Sequence, residues 1–169
     1  MVKALAMMEK LMAREDRVSL LAMENVLKFA IPFNAPHGFR LRRLGQEEVR
    51  IELPNSKLNH NHVGGIHACA IATLGEFCAG LTLARHLGFT RYRFILAELS
   101  ITYHRQGRSR LTGVARVTLE QIAQVQADLV QQEKLLFPHT TLITDEAGET
   151  VAEVRSVWQI KNWDKVRLR

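Results

Sequence analysis

The sequence predicts an α+β fold in which a curved antiparallel sheet wraps one long, largely buried helix. Two observations carry that prediction. Residues 61–83, NHVGGIHACAIATLGEFCAGLTL, are mostly small and apolar with no one-sided polar stripe, so a helix there must be covered on most sides. The segments flanking it alternate apolar and polar residues with a period of two, and such strands each offer one apolar face. A sheet closing those faces around the helix satisfies both patterns. At 169 residues, 47% apolar and 24% charged, the chain is most simply one domain spanning 1–169.

Residues 1–30 read as an N-terminal helical segment. Leu5, Met8 and Met12 recur at helical spacing, and Glu9 breaks the apolar run that a secretion signal needs. A second helical stretch, VSLLAMENVLKFA, ends where Pro32 and Pro36 forbid continuation. These helices are expected to cap the domain rather than to anchor it in a membrane. From His37 the period becomes two: FRLRRL and VRIEL form a hairpin across the turn Gly45-Gln46-Glu47. The central helix, at roughly twenty residues, would run about 30 Å. That is enough to span a bilayer, but Glu76 near its centre, His67 near its start and its Ala, Gly and Cys content favour a protein core.

After Gly88, FILAELSITYH alternates, with Ile95, Ala97, Leu99, Ile101 and Tyr103 on one face and Leu96, Glu98, Ser100, Thr102 and His104 on the other. The basic turn Arg105–Arg110 leads into LTGVARVTL, a further strand. EQIAQVQADLVQQEK carries Ile122, Val125 and Leu129 at helical spacing. LLFPHTTLIT and TVAEVRSVWQI are the last strands, joined by the turn Asp145–Glu149, and Pro138 marks an edge or a bulge.

A formal charge of +6 suits an anionic partner. The basic tail KNWDKVRLR raises nucleic acid as that partner, but no interleaved aromatic platform accompanies it, so no nucleic-acid partner and no membrane partner is expected. Cys69 and Cys78 stand nine residues apart, about 13 Å along a helix and too far for a disulfide. They read as buried thiols in a reducing compartment, the cytoplasm.

The chemistry centres on Glu76. A carboxylate inside an apolar helix costs several kcal/mol to desolvate, so it is either paired with an arginine from the strands or used. His60, His62, His67 and Cys69 lie within ten residues, yet the spaced pairs of a zinc site are lacking, and no metal is expected. A Cys-His nucleophilic pair using Cys69 has no neighbour marking it as activated. Arg105, Arg108 and Arg110 cluster on one turn, and their planar forks suit phosphate groups as well as plain solvation.

The order of elements resembles the hotdog fold, and Asn61, Gly64 and His67 match an Asn-x-x-Gly-x-x-His motif of its phenylacetyl-CoA thioesterase-like branch. Glu76 falls seven residues beyond Cys69, where that branch places its catalytic acid, while the branch's Gly-Gly after the histidine stands here as Ala68-Cys69. The later YHRQGRSRL is similar to the branch's strand-turn-strand segment. The resemblance implies an acyl-CoA thioesterase with Glu76 as base or nucleophile, Asn61 and His67 assisting, and no cofactor beyond the coenzyme A of the substrate. Gly64, Gly65, Ala68 and Cys69, with amides near Ile66–Cys69 at the helix's positive end, would face the thioester. Arg105, Arg108 and Arg110 would meet the nucleotide. It also implies a homodimer or dimer of dimers, with Asn61 of one chain beside Glu76 of the other. A local backbone role for Asn61 is the plain alternative. For the whole protein the alternative is a non-catalytic acyl-CoA or fatty-acyl binder in which Ala68-Cys69 marks altered catalysis.

Overall fold

The computed structural model describes residues 2–166; Arg167 and Arg169 of the basic tail lie outside them. Helices α1 (Val2–Met12) and α2 (Arg17–Ala30) come first, then a short 3-10 turn (Pro32–His37), β1 (Arg40–Leu44) and β2 (Glu48–Leu53). The central helix α3 (Ala68–Leu87) follows, then β3 (Tyr92–Tyr103), β4 (Leu111–Arg116), α4 (Leu119–Gln131), β5 (Leu135–Thr144) and β6 (Thr150–Asn162). The strands form a single six-stranded antiparallel sheet in the order β1-β2-β4-β5-β6-β3. With α3 packed against it, this is the hotdog arrangement.

Helix α3 runs four residues past the apolar run and stops at Gly88, whose φ of +76° suits glycine. By length and composition it would cross a membrane; in the fold two thirds of its most apolar window is buried. Ala70, Leu74, Cys78 and Leu81 enter the core with Ile51 of β2, Leu111 of β4, Ile143 of β5 and Val154 of β6. The approach to β6 is so close that a Cβ on Gly75 would lie 2.4 Å from the Val154 side chain.

The N-terminal helices do cap the domain. Asp16 starts α2 by accepting the Ser19 amide at 2.9 Å. Met8, Met12, Met23 and Leu27 join the main core. Glu24, 6% exposed, accepts the Leu41 amide at 2.7 Å and so ties α2 to the sheet's first strand.

Three expectations change in detail. The alternation along β3 breaks at Ala97, where the register passes from Leu96↔Trp158 to Glu98↔Val157. That bulge reverses the faces, so Phe94 and Leu96 pack inward before it and Ile101 after it, while Ile95 stays exposed. Pro138 lies on an interior strand, but β5 pairs with β4 only over Thr141–Thr144, so the proline occupies a half-strand with one neighbour. Cys78 is buried, as expected, whereas Cys69 is exposed because it falls in the first turn of α3.

Candidate active site

The loop before α3 is held by backbone bonds that the sequence left invisible. Asn59, 1% exposed, accepts the His37 ring Nδ1–H on its Oδ1 at 2.9 Å, and its Nδ2 donates to the carbonyls of His37 and Pro54, each at 3.0 Å. Its own carbonyl accepts the His67 amide at 2.7 Å. One buried residue, through its side chain and its carbonyl, thus fixes the N-terminal segment, the end of β2 and the start of the central helix together. Nothing in the polar stretch 55–60 distinguishes Asn59 from its neighbours.

His67 is the N-cap of α3, its Nδ1 accepting the Cys69 amide at 3.0 Å. That bond leaves any ring proton on Nε2 when the imidazole is neutral. The Ile66 amide donates to the Gly107 carbonyl at 2.7 Å. Of the amides expected to be open at this helix end, those of Ile66, His67 and Cys69 are therefore taken, and the Ala68 N–H remains without a partner among the described residues. The Ala68 carbonyl accepts the Tyr103 hydroxyl at 2.9 Å. Burial, and then the nearby Cys69 thiol, push the Tyr103 phenol up from its ordinary range.

Asn61 turns its carboxamide oxygen onto the amides of Val63 (3.0 Å) and Gly65 (3.1 Å), the local role that was its plain alternative. Gly64 sits at φ +76°, and Gly65 lies under the Gly107 carbonyl, 3.3 Å from where a Cβ would be. Asn61, Ala68, Tyr103 and Arg105 border a cavity of about 280 Å³.

Glu76 faces a different and larger cavity, about 800 Å³, whose walls are mostly carbon. Cys69, Thr73, Glu76 and Gly80 reach it from one face of α3, as spacings of four, three and four residues require. Among the described residues Glu76 makes no hydrogen bond or ion pair, so the arginine partner that would have made it structural is not there. Burial alone pushes its carboxyl up to about 7. Ala68 and Glu76 stand eight residues apart on one helix, about 12 Å along its axis. Within one chain the open amide and the carboxyl cannot meet on a single carbonyl group.

The basic turn is not a cluster of free cations. Arg105 pairs with Glu149 (3.4 Å) and Asp145 (3.8 Å), and Arg110 with Glu146 (2.9 Å) and Glu52 (3.7 Å). The Arg108 guanidinium binds, among the described residues, the side-chain oxygen of Gln106, at 2.8 and 3.0 Å. Of the other histidines in the loop, His60 bonds to Asn55 Oδ1 and His62 is exposed.

A family model described as a domain of unknown function, DUF4442, matches residues 21–160. No curated protein matches the chain. Among solved structures, a protein of unknown function from Pseudomonas aeruginosa, titled a probable thioesterase, is 27% identical with a TM-score of 0.76, over 82% of this chain and 93% of its own. A variant of a thioesterase from the same organism is 17% identical (TM-score 0.68; 84% of this chain, 94% of its own). A thioesterase from Haemophilus influenzae is 15% identical (TM-score 0.66; 82% of this chain, 90% of its own).

Proposed function

The chain belongs to the DUF4442 family, and on that footing we propose that it is a thioesterase that hydrolyses an acyl-CoA, with Glu76 as general base. The observation that carries this reading is Glu76 itself. It is an unpartnered carboxyl facing an apolar cavity, and its pKa of about 7 is that of a base poised near neutral pH. The solved relative at 27% identity, a protein of unknown function described as a probable thioesterase, supports the reaction class.

In this reading Glu76 takes a proton from water as the resulting hydroxide attacks the thioester carbon. The Ala68 N–H, at the positive end of α3, receives the oxyanion. Collapse of the tetrahedral intermediate breaks the C–S bond, and the proton on Glu76 passes to the departing coenzyme A sulfur. Since Ala68 and Glu76 of one helix lie too far apart, the site is assembled from two chains with their α3 helices antiparallel, Ala68 and Asn61 of one facing Glu76 of the other. The outer edge of β3, free of neighbours among the described strands, supports such a homodimer by offering a strand for pairing. His67 holds the helix start, and Arg108, the arginine of its turn without a carboxylate, is the candidate for a coenzyme A phosphate.

Release of free thiol from a panel of acyl-CoAs tests the proposal. Turnover that falls about 10²–10⁴-fold in Glu76→Gln, with binding retained, is the expected result. Binding of acyl-CoA without thiol release by the unaltered protein would instead favour the non-catalytic binder. Equal turnover by both proteins would remove Glu76 from the mechanism.

A further inference from the structure

The cleft beside Glu76 has two unlike halves. From Cys69 to Leu81 its α3 face advances twelve residue steps, about 18 Å. The half toward the helix start is lined by Cys69, Ala72 and Thr73. The other half runs past Gly80 and Leu81 to Phe89 and Trp163 beyond the helix end. Its far wall is built to present carbon. The Trp158 indole N–H is already given to Ser156 Oγ at 3.0 Å, and that of Trp163 to the Phe89 carbonyl at 2.8 Å. Arg93, between Tyr92 and Phe94, also lines the cleft; its guanidinium reaches Gln159 Oε1, 3.5 Å away, and its buried Nε has no partner among the described residues.

We infer that the acyl group is an uncharged aliphatic chain of medium length, running from Glu76 past Gly80 to the Trp158–Trp163 wall, and that Gly80 sets which chains enter. The inference rests on the thioesterase reading only for placing the carbonyl at Glu76. Glu76 to Leu81 is about 8 Å of helix, and the cleft continues to Phe89 and Trp163. At roughly 1.2 Å per backbone-like bond those 8 Å alone take about six to seven carbons, and the continuation takes the rest of a longer chain, more than an arylacetyl group needs. Gly80 is the narrow point. The Trp158 ring packs directly on it: a Cβ there would lie 3.2 Å from the ring and 4.0 Å from Glu76 Oε1, so a side chain would push the indole outward into the cleft beside the carboxyl. A glycine inside a helix costs about 1 kcal/mol relative to alanine, and the close seat of the Trp158 indole against the helix is what that cost provides.

Both tryptophans of the chain line this cleft, so their fluorescence reports its occupancy without any turnover. In Glu76→Gln, decanoyl-CoA should quench or shift the emission at concentrations at least tenfold below those needed for butyryl-CoA, phenylacetyl-CoA or coenzyme A alone. In the unaltered protein, kcat/KM should rise from butyryl- to decanoyl-CoA, and Gly80→Val should lower the decanoyl-to-butyryl ratio by at least tenfold. Gly80→Ala, the smaller intrusion, should lower it in the same direction if the valine variant does not fold. Affinity that ignores chain length, a preference for phenylacetyl-CoA, or equal losses on both chain lengths in the alanine variant would overturn the inference. Chain-length-dependent fluorescence in a protein that releases no thiol from any acyl-CoA would sustain it while removing the thioesterase reading.

Discussion

At the scale of single residues, Glu76 links activity and stability with opposite signs. Its folded pKa of about 7 lies above the ordinary carboxyl value of 4.5 because burial disfavours the charged form. The folded state therefore binds the proton more tightly than the unfolded one. The associated stability is fully present below about pH 4.5 and is lost as pH rises through 7. The shift corresponds to about 3 kcal/mol. Glu76→Gln carries no charge to bury, so its thermal midpoint should exceed that of the unaltered protein at pH 8, with the two converging near pH 4.5. A structural ion pair would give the opposite result, a loss on the order of 3–5 kcal/mol. Activity should run the other way, kcat/KM climbing about tenfold per pH unit below 7 and levelling above it. Asn59 offers a contrasting case, because its side chain is all structure. Asn59→Ala leaves half-buried groups of His37 and Pro54 unpaired and should cost about 1–3 kcal/mol of stability, read as a lower urea midpoint at constant m.

At the scale of elements, the β3–β4 turn separates binding from scaffolding. Arg105 and Arg110 hold the carboxylates of the β5–β6 turn across solvent, and exposed pairs of this kind contribute about 0–1 kcal/mol each. Arg110→Ala should therefore change the thermal midpoint little and the KM for acyl-CoA little. Arg108→Ala should raise that KM severalfold and flatten its salt dependence while sparing kcat, since a phosphate contact acts alike on ground and transition states. A pantetheine thioester without the nucleotide is the control, and an equal loss on it would make Arg108 structural. The sequence displayed the three arginines side by side; it could not show that two of them face acids from a turn some forty residues on.

At the scale of the whole molecule, the distance along α3 between Ala68 and Glu76 makes the proposed chemistry depend on two chains. Sedimentation at micromolar concentration should give a dimer or a dimer of dimers. Mixing and refolding Asn61→Ala with Glu76→Gln should recover part of the activity, because each mixed dimer contains one site free of both changes. A monomer with full activity would end the two-chain account.

What the sequence determined by itself is what periodicity and composition express locally. The run from Ile66 to Leu83 has too few polar residues to show a face to water, so it had to be the central helix, and a lone Glu76 within it was conspicuous. The period-two segments had to be strands, and the turn at Gly45–Glu47 had to join two of them. Tertiary structure decided the rest, because those features depend on residues far apart in the chain. The bulge at Ala97 follows from pairing with β6 and reverses which β3 side chains line the cleft. Asn59 gains its role only when His37, Pro54 and His67 converge on it. The isolation of Glu76 is likewise a property of its surroundings. No local pattern states that, among the described residues, no arginine of the strands pairs with Glu76, yet that arrangement is what leaves a carboxyl in an apolar cleft with its proton held near neutral pH.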